Sequence, residues 1–73
     1  MENMWPIIGQ AAGRIYELLK EGGEKNITKI KEILRKEGFN DSIVVMAIGW
    51  LAREDNIEIL RDNRKWTIKL KTK

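Results

Sequence analysis

Two groups of basic side chains are the residues of this chain best suited to chemistry. Lys25, Lys29 and Lys31 lie in EKNITKIK, and Arg61, Arg64 and Lys65 lie in RDNRK, with Lys69, Lys71 and Lys73 following. The chemistry they suit is the holding of phosphate. Lysines around a helix start sit where the helix dipole is positive and disfavours them, so a bound phosphate is a natural compensating partner, and Thr28 adds a hydroxyl or a backbone amide. The same groups are also an ordinary solvated surface. The net charge of +3 conceals an asymmetry: residues 1–60 carry 8 Lys/Arg and 10 Asp/Glu, whereas residues 61–73 carry 6 Lys/Arg and 1 Asp. Basic charge gathered at one end attracts polyanions, nucleic acid being the commonest, and also serves as a solubility device.

Other chemistries lack their parts. With no Cys and no His in the chain, there is no disulfide, thiol nucleophile, imidazole acid–base pair or zinc ligand set of the usual kind. Ser42 is the only serine and has no such group to activate it, and no paired carboxylates are spaced to build a pocket. The glycine pair Gly22–Gly23 does not follow a strand and lacks the rest of any phosphate-loop pattern. The expectation is a protein that is not an enzyme and uses no metal or cofactor. The opening MENMWPIIGQ has neither the basic nor the long apolar region of a signal peptide, and no apolar run reaches the roughly 18–20 residues of a membrane span. A soluble cytoplasmic protein is expected, with no membrane partner. At 73 residues the chain reads as one domain, 1–73, small enough that most apolar residues must be structural.

The elements that position these groups follow from periodicity. Pro6 suits a helix start, and Ile7, Ile8, Ala11, Ala12, Ile15, Leu18 and Leu19 recur at helical spacing over residues 6–21, with Gln10, Arg14, Glu17 and Lys20 on the other side. Gly22 or Gly23 ends this helix. A second helix follows, with Thr28 as its expected N-cap and Ile30, Ile33 and Leu34 as its buried stripe. The segment KEGFN supplies a cap at Gly38, an apolar anchor at Phe39 and a new N-cap at Asn40, and the third helix spans 41–54. The period then changes to two: Ile57 and Ile59, a turn at DNRK, then Trp66, Ile68 and Leu70 opposite Thr67, Lys69 and Lys71, which predicts a hairpin with one apolar and one basic face. A short extended segment near Ile27 is expected to pair with it. Helix, helix, tight turn, helix, hairpin is the order of a winged helix-turn-helix: an α+β fold of three helices with a C-terminal β-hairpin wing.

The stretches AAGRIYELL, ITKIKEIL and above all VMAIGWLAREDNI resemble a family of short bacterial and archaeal winged helix-turn-helix proteins that are functionally uncharacterised. The resemblance covers nearly the whole chain. It implies the fold and membership of a DNA-binding superfamily, and it implies no particular ligand.

The third helix is where such a fold usually meets DNA, and here it is apolar from Ile43 to Ala52. On a helical wheel Val44, Ala47, Ile48 and Leu51 form the core face with Ile43 beside them, while Val45, Met46, Gly49 and Arg53 lie opposite and Trp50 sits at the margin. Base-reading helices usually offer Arg, Lys, Asn, Gln, Ser or Thr in their first half. Here Asn40 is used as a cap, Asp41 repels phosphate, Ser42 is the one suitable contact and Arg53 comes only in the last turn. Two readings therefore stand. One is a DNA-binding module, such as a transcriptional regulator, working mainly through phosphate contacts at the second helix and wing; five such contacts, from Lys25, Lys29, Arg61, Arg64 and Lys65, give a log–log salt slope near −4.5 at about 0.9 per phosphate. The alternative is a protein-interaction or homodimerisation module using Val45, Met46, Gly49 and Trp50, unless Trp50 folds down over the hairpin. Gly9 and Gly13, one turn apart on the outward side of the first helix, either admit a close partner or relieve crowding within the chain.

Overall fold

A computed structural model describes residues 2–71; Lys73, named above among the basic residues of the tail, lies outside them. The order is α1 (Trp5–Gly22), β1 (Lys25–Asn26), α2 (Ile27–Lys36), α3 (Asp41–Arg53), β2 (Ile57–Asp62) and β3 (Lys65–Leu70). The strands form an antiparallel sheet in the order β1-β3-β2. This is the α+β winged-helix arrangement expected from the periodicities, with the extended segment placed at Lys25–Asn26, just before Ile27.

The helices form where apolar spacing and caps agree. α1 buries Ile8, Ala11, Ala12, Ile15 and Leu19 and ends at Gly23, whose φ of 78° is a left-handed conformation that costs glycine little. α2 buries Ile30 and Leu34. Its N-cap is Asn26, whose Oδ1 accepts the Lys29 N–H at 2.8 Å. That corrects the assignment of the cap to Thr28, and the cause is the strand: β1 runs straight into α2, so the extended residue at the junction is Asn26, and Thr28 is already inside the first turn. The turn into α3 matches its sequence signals. Gly38 takes φ 97°, Phe39 is half-buried against the core and donates its N–H to the Leu34 carbonyl, and the Asn40 side chain caps α3 by accepting from the Ile43 N–H at 2.9 Å.

The core lies between α1, α3 and the inner face of the sheet. Ile15, Ile30, Leu34, Val44 and Ile68 are its largest fully buried side chains, and Ile43, Ala47, Ile48, Leu51 and Ile57 join it from α3 and β2, beside the buried residues of α1. Two expectations about its edges are corrected. Trp50 does not fold over the hairpin; it packs against α1, its ring centroid 4.4 Å from that of Trp5 and its Cη2 3.5 Å from where a Cβ on Gly9 would lie. Gly9 is therefore half-buried beneath Trp50, whereas Gly13 faces open space. Nor is the apolar face of the hairpin covered along its length. Ile57 and Ile68 are buried and Leu70 partly so, but on the same face Ile59, on the edge strand directly opposite Ile68, and Trp66, near the tip, are exposed.

Candidate nucleic-acid interface

The hairpin closes through a two-residue turn, Asn63–Arg64, between the paired residues Asp62 and Lys65. Asn63 holds φ 58°, a left-handed conformation that Asn tolerates better than most side chains. This register puts Arg61 opposite Trp66, and the Arg61 guanidinium lies over the Trp66 ring, 5.2 Å from its centroid, while its Nε donates to the Asn63 carbonyl at 3.2 Å. The wing tip is thus an ordered end. It faces the start of α2: Asn26, Ile27, Thr28, Lys29 and Glu32 on one side and Arg64, Lys65 and Trp66 on the other line a groove of about 490 Å³. Two basic clusters far apart in sequence meet there.

Not every basic residue joins them. Lys25 turns toward the end of α1, its Nζ 2.7 Å from where a Cβ on Gly22 would lie, a position that the negative end of that helix dipole favours. Lys31 is half-buried along α2 and outside the groove lining, and Arg61 is engaged with Trp66. Lys71, at the base of the wing, binds Asp55 at 2.5 Å, and this hydrogen bond, with the attraction of the carboxylate, raises its pKa above the ordinary lysine value. Arg53 lines a separate hollow with Trp5, Trp50 and Glu54.

On α3 the outward residues are Ser42, Val45, Met46 and Gly49, all exposed; a Cβ on Gly49 would meet nothing. Asp41, Ser42, Val45 and Met46 line one shallow hollow. Val45 and Met46 thus come together on the outer face, while Trp50 turns away to α1. Asp41 is not a bare negative charge at the helix start. Arg35 donates to both carboxylate oxygens of Asp41, from Nη2 at 2.9 and 2.8 Å and from Nε at 3.3 Å, and that hydrogen bonding raises the Arg35 pKa. A bidentate pair of this kind fixes the turn between α2 and α3 and neutralises the repulsion Asp41 would otherwise offer. Arg14 does similar work at the far side of the turn, its Nε donating to both oxygens of Glu37 at 2.8 and 3.0 Å, which raises its own pKa.

The family model described as winged helix-turn-helix domain (DUF2582) matches residues 1–70. The chain belongs to this family. An uncharacterized protein of Methanocaldococcus jannaschii is 65% identical over 71 residues, covering 97% of this chain and all of the relative. No solved structure matches the chain. In this winged helix-turn-helix domain α3 holds the place of the recognition helix, and the groove joins the other two elements that commonly touch the DNA backbone in such folds, the start of the preceding helix and the wing. Among the described residues no cluster of His, Cys, Asp or Glu could hold a metal ion, and no helix is long and apolar enough to cross a membrane.

Four residues that line the groove, Asn26, Ile27, Glu32 and Trp66, are not among the site residues that the sequence predicts; Trp66 lies on the apolar side of the hairpin, as expected, and also forms a wall of the groove. The signal for Trp66 lay in the turn: a two-residue connection at Asn63–Arg64 puts Arg61 directly across from it. Glu32 lies one turn beyond Thr28, a spacing that gives it the same helix face.

Proposed function

We propose that this winged helix-turn-helix domain is a non-enzymatic DNA-binding module, acting in the cytoplasm as a transcriptional regulator or part of one, that holds duplex DNA chiefly by its phosphates. The observation that carries this reading is the shared groove, where Lys29 of α2 faces Arg64 and Lys65 of the wing. Phosphate contacts position a protein on DNA without reading sequence, and base edges are read by side chains in the groove of the duplex. Here α3 offers Ser42 as its one early hydroxyl, with Val45 and Met46 beside it suited to contact with thymine methyls. Binding is therefore weak in sequence preference.

Of the five cations, Lys29, Arg64 and Lys65 line the shared groove, whereas Lys25 lies toward the end of α1 and Arg61 lies over Trp66, so three phosphate contacts are proposed. With Lys29, Arg64 and Lys65 each neutralising one phosphate, the slope of log affinity against log salt should be near −2.7, at about 0.9 per phosphate. A salt-varied titration against duplexes of differing sequence tests this. Similar affinities across sequences with that slope are expected; absence of binding at low salt would remove the reading.

One observation favours a second reading, protein association through the outer face of α3: Val45 and Met46 are adjacent and 48% and 54% exposed. Neighbouring apolar side chains left open in this way are what an association surface presents. Sedimentation of the protein alone, over a range of concentrations, tests self-association.

A further inference from the structure

The wing carries an aromatic ring that phosphate contacts leave without a role. Trp66 is 44% exposed beside the hairpin tip, although Ile68, its neighbour on the same strand face, is completely buried. Arg61 lies over the ring, and Trp66 nevertheless remains a wall of the groove it shares with Thr28, Lys29, Glu32, Arg64 and Lys65. A partly exposed aromatic side chain among cations is the composition of a site for a base together with its phosphate, the base stacking on the ring while ammonium and guanidinium groups take the charge.

Two further features favour a nucleotide over a bare anion. Glu32 lines the same groove; its carboxylate opposes a lone phosphate but can accept a hydrogen bond from the exocyclic amino group of a base. The groove's volume of about 490 Å³ also falls in the range of sites that enclose small ligands, about 300–1,000 Å³. Paired bases in a continuous duplex are stacked on one another and cannot offer a face to Trp66, so the base that enters must be unpaired.

We propose that the groove between the start of α2 and the wing receives one unpaired nucleotide of a DNA strand, its base stacked on Trp66 and its phosphate held by Lys29, Arg64 and Lys65. This rests on the reading of the same face as a phosphate-gripping surface and adds a substrate preference: a duplex end or junction with an unpaired nucleotide binds better than continuous duplex. Arg61 acts as a positioning residue that holds the ring at the groove wall.

The test compares a blunt duplex, the same duplex with a short unpaired overhang, and a free mononucleotide, following binding by anisotropy of the labelled DNA and by tryptophan fluorescence. The overhang should tighten binding roughly tenfold, as expected for one stacked base, and quench fluorescence. Trp66→Leu should bring the ratio of the two affinities close to one and abolish the quench, while Trp66→Phe, which keeps an aromatic face, should retain the preference and so separate lost stacking from lost folding. Equal affinity for the blunt and overhanging duplexes in the wild-type protein would overturn the proposal and leave the phosphate reading intact. Absence of binding to any DNA removes both. A mononucleotide that quenches Trp66 as strongly as the overhang would overturn a DNA strand as the source of the base.

Discussion

Replacing Arg64 and Lys65 together by alanine removes both wing cations from the groove and leaves Lys29 as its one cation. Each contact contributes about 0.9 to the salt slope, so the slope should fall from near −2.7 to near −0.9. The difference is large in a practical range. Between 50 and 200 mM salt the wild-type affinity should drop about 40-fold, and that of the double variant only about 3.5-fold. Both residues are exposed at the tip of a turn whose conformation depends on Asn63, so the hairpin should survive the change; a circular dichroism melt of each protein checks this. Lys71→Ala provides a control of equal charge per residue removed. Lys71 is tied to Asp55 at the base of the wing, so its loss should leave the slope unaltered. The assay is fluorescence anisotropy with a labelled duplex at several salt concentrations. If the double variant keeps the wild-type slope, or if Lys71→Ala lowers the slope as much as a wing substitution does, the groove is not where phosphate is held.

Three further outcomes are expected. Asn26→Ala should destabilise the protein by about 1 kcal/mol, because it removes the acceptor for the Lys29 N–H, whereas Thr28→Ala should cost much less; equal losses in a denaturant melt would contradict the cap assignment. Met46→Lys should leave stability within about 0.5 kcal/mol, as at other exposed positions, and should abolish any self-association seen by sedimentation; a loss of several kcal/mol would mean that Met46 is packed. Gly49→Ala should stabilise the protein by about 0.5–1 kcal/mol, since the added methyl meets nothing and helix propensity improves; destabilisation would show that the outer face of α3 is closed in the free protein.

The fold was legible because each element declares itself locally. The apolar spacing of α1 and α2, the glycines at 23 and 38, the Asn40 cap and the switch to alternation after Asn56 depend on near neighbours in sequence, and the elements they predict are those observed. The misplaced features depend on distant neighbours. The cap passed to Asn26 because β3 pairs with Lys25–Asn26 and holds that segment extended up to the helix. Trp50 went to α1 because Gly9 leaves room beneath it and Trp5 offers a ring to pack against, and neither fact follows from the spacing within α3.

The candidate interface divides along the same line. That Lys29 and the wing cations belong to one face follows from the topology once the winged-helix order is read, since the start of the second helix and the wing flank the third. Which cations are available does not follow from residue type, because Lys25 lies toward the end of α1, Arg61 lies over the Trp66 ring and Lys71 binds Asp55, contacts that only the folded geometry sets. The Asn63 turn links the two levels. Its left-handed residue fixes a two-residue connection, that connection puts Arg61 across from Trp66, and the pairing withdraws Arg61 from the phosphate set while holding an aromatic face at the groove. A longer loop at this turn would shift the β2–β3 register and, with side chains alternating between faces, would separate Arg61 from Trp66, while the pairing of β3 with β1 keeps Trp66 beside the start of α2. The placement of Arg61 therefore depends on one turn as much as on its charge.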